Sequence, residues 1–187
     1  MQNLTFLEEG AFTPIDKVVR EKAKELEAKA KEKNTSIFLE LSLYLHSLEA
    51  KNKNFSEFRK RDSSEIIESN YRFDCTDLAL VDLSILRSLG YPSIYIETIK
   101  EDCLKDPKKS ILGHVFTKVK LNQTWKLRDP YFGFRAGERY NLKTDTFIPL
   151  AQGLDFSELY TLNTNNKIEI SSLDQASRLL EEYRKLK

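Results

Sequence analysis

A cysteine, a histidine and an aspartate occur along this chain in the order Cys75, His114, Asp129. Together these residue types can carry nucleophilic acyl transfer: a thiol attacks a carbonyl, an imidazole moves the thiol proton, and a carboxylate orients the ring. Cys75 lies in Asp74-Cys75-Thr76-Asp77, His114 in Gly113-His114-Val115-Phe116, and Asp129 closes Trp125-Lys126-Leu127-Arg128-Asp129-Pro130. With 2 cysteines and 2 histidines in the chain, such a trio means little by itself. A lone cysteine on an apolar helix is usually buried and inert. The elements that would position the three residues therefore decide the matter.

Leu78, Leu80, Val81, Leu83, Ile85, Leu86 and Leu89 follow Cys75 and predict a helix too apolar for the surface, hence central to the core. Gly90 stops it as a left-handed cap, and Pro92 keeps it from resuming. Cys75 is then the start of a buried helix, where unpaired N–H groups and the positive helix end favour thiolate. Asp74 and Asp77 flank it and oppose that effect. Residues 113–121 and 124–129 flank Asn122-Gln123 and read as a hairpin. An even loop centred on Asn122-Gln123 sets Phe116 opposite Asp129 and puts His114 one diagonal step away on the same face. A three-residue loop would separate the pair; the even loop is the expected one.

The ordered set resembles the transglutaminase-like superfamily, the circularly rearranged relatives of papain. The pattern is a Cys opening a helix that ends in Gly, then a Gly/His-led strand, then a strand ending in Asp-Pro. Arg61-Asp62-Ser63-Ser64-Glu65-Ile66-Ile67 also looks like the short helix before the nucleophile in that family. The resemblance spans residues 36–132. It implies an α+β fold with a papain-like core, the Cys-bearing helix packed on an antiparallel sheet, and added N- and C-terminal helices. It further implies a cysteine hydrolase or acyltransferase acting on a peptide or protein substrate through Cys75, His114 and Asp129. The resemblance also bears on the oxyanion hole. Papain-like enzymes place a side-chain donor a few residues before the Cys, but position 69 is Ser, leaving Asn70 and Tyr71 as candidates. Trp125 and Tyr131 are candidates to line the substrate site. The alternative reading is a transglutaminase-like fold kept as a binding or scaffolding module with weak or no catalysis.

Bulk properties narrow the classes. The 187 residues carry 30 Lys+Arg against 29 Asp+Glu, a formal net charge of +1, which makes no electrostatic case for nucleic acid or an anionic membrane. No apolar run approaches a membrane span, and the first residues lack a signal-peptide pattern. Two distant cysteines fit reduced thiols, so a cytoplasmic location is expected. Zinc held by Cys75, Cys103, His114 and Asp129 is the competing chemistry, but the closely spaced cysteine pairs of structural zinc sites are missing; neither metal nor cofactor is expected. The expected organisation is a single domain over residues 1–187: a helical part (1–70), the catalytic core (71–132), and C-terminal strands and a helix (133–187). The sequence leaves the oligomeric state open.

The remaining elements follow from caps and stripes. Thr13 as N-cap and Pro14 at the first helical position predict a helix striped by Ile15, Val18, Val19, Ala23, Leu26 and Ala30. Ser36 starts a second, with Ile37, Phe38, Leu41, Tyr44, Leu45 and Leu48 as its apolar face and His46 within it. Asp62 caps a short third helix. Alternation over residues 94–99 predicts a strand. Residues 101–110 read as a charged loop. Tyr131, Phe132 and Phe134 read as core or site lining, and residues 146–150 and 167–170 as short strands. A last helix over 172–186 is striped by Leu173, Ala176, Leu179, Leu180 and Tyr183.

Overall fold

The computed structural model describes residues 6–52, 59–102, 113–134, 141–142 and 145–155. Among the described residues three helices precede the cysteine: α1 (Lys17–Glu32), α2 (Ile37–Ser47) and α3 (Ser63–Ser69). Short strands β1 (Glu49–Ala50) and β2 (Tyr71–Arg72) pair in parallel beside them. Helix α4 (Cys75–Ser88) follows, then β3 (Ser93–Lys100), β4 (Gly113–Leu121), β5 (Thr124–Asp129), β6 (Gly133–Phe134), β7 (Asn141–Leu142) and β8 (Asp145–Gly153). These six strands form one antiparallel sheet in the order β6-β5-β4-β3-β8-β7. The architecture is α+β, with the Cys-bearing helix packed on an antiparallel sheet.

Helix α4 is the centre of the molecule because its sequence leaves it no polar face to give to water. Every residue from Thr76 to Arg87 is buried, the state expected of a helix that is apolar nearly all round. Its leucines, Val81 and Ile85 join one core with Val19, Leu26, Leu41, Leu45 and Ile66 of the three earlier helices and with Tyr95, Val115 and Val119 of the sheet. Gly90, at φ +83°, ends it: the Gly90 N–H reaches Arg87 O (2.9 Å) and the Tyr91 N–H reaches Leu86 O (2.9 Å), the turn that only a residue tolerant of the left-handed region makes cheaply. The other sheet face buries Ile94, Ile96, Phe116, Leu127 and Phe147 under Phe6 and Trp125. Apolar side chains on both faces explain why β3 is buried almost throughout.

Buried polar groups tie these layers at fixed points. Arg128 on β5 and Asp82 on α4 are both fully buried and meet at 2.9 Å (Nε to Oδ1), with Thr117 donating to Asp82 Oδ2 at 3.0 Å. Arg87, in the last turn of α4, donates to the Ser93 carbonyl, the Leu154 carbonyl and the Thr13 hydroxyl.

That last contact explains one departure from the sequence reading. Thr13 does not cap α1. Its hydroxyl is fully buried and takes Arg87 Nη1 at 2.8 Å, and the helix starts later, with Asp16 as N-cap accepting from the Val19 N–H at 3.0 Å. His46 departs as well: it is exposed, on the side of α2 away from the buried Leu41 and Leu45, and its ring stacks on Tyr131 with centroids 4.0 Å apart. Ser36 and Asp62 cap α2 and α3 as expected, the latter with a full capping box closed by Glu65. Residues 103–110, 167–170 and 172–186 lie outside the described residues.

Candidate active site

The β4–β5 hairpin brings His114 and Asp129 together, and its turn is what does so. Asn122 and Gln123 both adopt positive φ (47° and 66°), the backbone of a two-residue turn whose twist suits a hairpin. Leu121 then pairs with Thr124 and Thr117 with Arg128; the next step places Phe116 against Asp129, and His114 lies one diagonal away on the same face. Across that diagonal His114 Nε2 meets Asp129 Oδ2 at 2.9 Å. The imidazole stands edge-on to Phe116 (4.8 Å) and tilted against Phe147 (5.7 Å), so its orientation is fixed by packing as well as by the carboxylate.

Asp129 is itself held. It has no exposed surface, and its Oδ1 accepts from the N–H groups of Tyr131 (2.8 Å) and Phe132 (3.0 Å). Burial alone would raise its carboxyl, but the His114 ring and those two backbone donors outweigh burial and hold it below the ordinary carboxylate range. A carboxylate at Nε2 selects the ring tautomer that carries its proton there, which makes Nδ1 the basic nitrogen.

Cys75 reaches the same strand from the helix side. Val115 has the parity of Leu121 and Thr117, whose N–H groups point toward β5, but β5 stops at Asp129. Past that end the Val115 N–H acts on the Cys75 sulfur. The thiol therefore lies at the open edge of β4, one residue along the chain from His114. Asp74, the N-cap, accepts from the Thr76 N–H at 2.9 Å. Asp77 Oδ2 takes the Phe73 N–H at 2.9 Å and Arg61 Nη2 at 2.6 Å.

Burial, joined by the Asp74 and Glu97 carboxylates, corrects the expectation of a thiolate. The surroundings of Cys75 are protein on most sides, and burial, with Asp74 and Glu97 adding to it, pushes the thiol up to about 12, against the Val115 N–H and Arg59, which pull it down. Asp74 and Asp77 occupy the positive end of the helix that was expected to favour the anion. Among the described residues no hydrogen bond joins the thiol to the His114 ring. In this state Cys75 is a protonated thiol at the edge of the strand that carries the oriented imidazole.

The other candidates fall at different distances from this edge. Asn70 ends α3 in the left-handed region (φ 55°), exposed, its carbonyl taking the Glu49 N–H at 3.2 Å. The Tyr71 ring is held between the Lys51 and Arg61 cations (3.9 and 4.2 Å) and packs edge-on to Phe73. Tyr131 comes two residues after Asp129, with the Arg72 guanidinium over its ring at 5.3 Å and its carbonyl bonded by His46 Nε2. Trp125 sits at the turn end of β5, edge-on to Phe6 at 5.6 Å. Four residues from Asp129 along a strand is about 13 Å, so the structure does not bring Trp125 to the Cys75 edge. Among the described residues no group of three or more His, Cys, Asp or Glu could hold a metal ion; Cys103 lies outside them.

Sequence reasoning passed over a polar cluster on the helix side of the sheet. Glu97 of β3 pairs in register with Val115 and accepts from Arg59 Nη2 on both carboxylate oxygens (2.8 and 2.9 Å) and from the Tyr95 hydroxyl (2.8 Å). In the sequence Glu97 looks like the outward residue of an alternating strand. Only the knowledge that both sheet faces are covered would have marked it.

No protein-family model matches this chain, and no curated protein is similar to it at a significant level. A solved structure is similar: that of a candidate cysteine protease from Cytophaga hutchinsonii, with a TM-score of 0.57 and 16% identity, over 82% of this chain and 47% of that one. The chain thus shares a cysteine-protease-like α+β fold and spans about half the length of the protein it matches.

Proposed function

We propose that the protein is a transglutaminase-like cysteine enzyme that performs amide-directed acyl transfer on a peptide or protein substrate, by hydrolysis rather than cross-linking, in the cytoplasm. The observation that carries this reading is the His114 Nε2–Asp129 Oδ2 pair at 2.9 Å, one residue from the strand edge where the Val115 N–H meets the Cys75 sulfur. The fold shared with the Cytophaga protein supports it. His114 takes the thiol proton on Nδ1 as the sulfur bonds to the substrate carbonyl carbon, and the carbonyl electrons move to oxygen. Asp129, kept ionised, stabilises the imidazolium. Collapse of the tetrahedral intermediate expels the amine, which takes the proton from His114, and leaves an acyl-thioester. Water, deprotonated by the same ring, attacks the thioester carbonyl; the carbon–sulfur bond breaks, the acid leaves and the sulfur takes the proton back from His114. The backbone N–H of Cys75 is one oxyanion donor, with Asn70 and Tyr71 the candidates for a second; a missing second donor would cost about 3 kcal/mol of transition-state stabilisation. Because the resting thiol is protonated, the ion pair forms during the reaction.

That same protonated thiol favours one second reading, a fold of this type serving as a binding or scaffolding module. Intact-mass spectrometry after exposure to peptide pools and an acyl-reactive probe separates the two. An adduct on Cys75 that is lost in Cys75→Ala and in His114→Ala is the result expected of the enzyme. A partner bound equally well by Cys75→Ala, with no adduct in the wild type, would establish the module instead.

A further inference from the structure

The Arg59–Glu97–Tyr95 cluster lies beside the candidate nucleophile, and its geometry assigns it work there. Glu97 stands opposite Val115, the residue whose N–H meets the Cys75 sulfur, and residues paired across a sheet share a face. Its carboxylate is therefore on the face that α4 covers, with a side chain only 12% exposed. A bare carboxylate in such a place would oppose any negative charge arising on the sulfur. It is not bare: one Arg59 nitrogen bridges both its oxygens, and Tyr95, fully buried, donates to Oε2. Arg59 arrives there at φ 57°, a left-handed backbone that is strained for a non-glycine residue. The chain thus accepts strain where it delivers this guanidinium.

We propose that Arg59 is a positioning residue for the nucleophile, neutralising Glu97 beside Cys75 so that His114 can draw off the thiol proton without a facing carboxylate opposing it. The proposal rests on the acyl-transfer reading for its meaning, but its measurement does not. The charged and titratable groups around the thiol are Asp74 at the cap of α4, Glu97 and Tyr95 from β3, and Arg59 from the segment before α3, with His114 of β4 round the strand edge. Asp77, in the first turn of α4, is joined to Arg61 and the Phe73 N–H. Arg59 and Glu97 act on the thiol with opposite signs, so their removal has opposite consequences, which loosening of the structure would not produce.

The test is the rate of Cys75 alkylation by iodoacetamide between about pH 7 and about pH 9, below the thiol's inflection, where the rate follows the thiolate fraction, read by intact mass on the full chain in a Cys103→Ser background. Arg59→Gln is expected to slow the reaction by about five- to tenfold across that range, while Glu97→Gln speeds it by a similar factor. The double variant returns close to the parent, and Arg59→Lys, which keeps the charge, stays within about twofold. Unchanged rates in folded variants overturn the proposal, as does a change in the same direction for both, since that is how a merely loosened site behaves. If Arg59→Gln does not fold, Arg59→Lys and Glu97→Gln decide: the proposal then falls unless Glu97→Gln alone speeds the reaction. A His114→Ala profile identical to the parent would instead sink the acyl-transfer reading, whatever Arg59 does.

Discussion

His114 Nε2 and Asp129 Oδ2 lie 2.9 Å apart on a sheet face that α4 does not cover, while the Cys75 sulfur approaches the edge of the same strand from the α4 side. The ring must therefore act around the strand edge, and its orientation depends on Asp129. Asp129→Asn is expected to release the tautomer preference and lower Cys75 adduct formation by on the order of 10³–10⁴-fold. Probe labelling of both proteins at equal concentration measures it; labelling within about twofold of the wild type would show that the carboxylate does not orient the ring.

The same pair contributes to stability, with a sign set by its titration. The folded-state carboxyl of Asp129 is held below its ordinary value, so its contribution is present above the unfolded value near 3.9 and is lost as pH falls through the lower folded value. Urea unfolding of wild type and Asp129→Asn should differ by about 1.5–3 kcal/mol at neutral pH, and the difference should shrink below about pH 4. A difference that grows in acid would contradict the assignment.

Much of this was legible in the sequence, for physical reasons that differ by element. Leu78 through Leu89 had no polar stripe, so α4 could only be buried; Gly90 and Pro92 marked its end. Asn122-Gln123 between two alternating runs fixed the hairpin length, and strand periodicity then set Asp129 against Phe116 and near His114. The thiol was misjudged because burial is a tertiary quantity: the helix-end argument saw the N–H groups at Cys75 but not the protein around it. Thr13 was misassigned for a related reason, since its hydroxyl serves Arg87, 74 residues away. Arg59 and Glu97 carry no local pattern at all.

Cys75 in the substrate-free protein should show no thiolate absorbance at neutral pH and ionise only in strongly alkaline solution, since its thiol is raised to about 12. Ultraviolet difference titration of Cys103→Ser against Cys75→Ser/Cys103→Ser isolates the signal. A thiolate already present near pH 6 would mean that the resting site is a Cys–His ion pair after all.

Arg87 should be among the costliest residues to remove outside the site. It is 3% exposed and donates to the Ser93 and Leu154 carbonyls and the Thr13 hydroxyl, joining the N-terminal segment, the end of α4, the start of β3 and the segment after β8. Arg87→Ala removes these buried, charge-assisted hydrogen bonds and opens a void at their centre, at about 3–5 kcal/mol. Arg87→Lys should recover less than half of that, because an ammonium cannot span the positions that the planar fork reaches. Denaturant midpoints of the three proteins test both statements.

Arg128 and Asp82 offer the sharpest test of how the site is held. Both are fully buried, the Nε–Oδ1 distance is 2.9 Å, and Thr117 and Ser42 complete the network. Arg128 precedes Asp129 on β5, so this pair fixes the strand against α4 at the level of the site. Asp82→Ala strands a buried guanidinium and should destabilise by about 3–5 kcal/mol, whereas Asp82→Leu/Arg128→Met removes both charges and should cost much less, or nothing. The double variant therefore isolates positioning from stability. If the ion pair serves only to hold the fold, a well-folded double variant labels Cys75 at the wild-type rate. If it also sets the register of Asp129 against His114, labelling falls by at least about tenfold while the unfolding midpoint stays near that of the wild type. The second outcome is expected, because leucine and methionine fill the space without a directional bond to fix the end of β5.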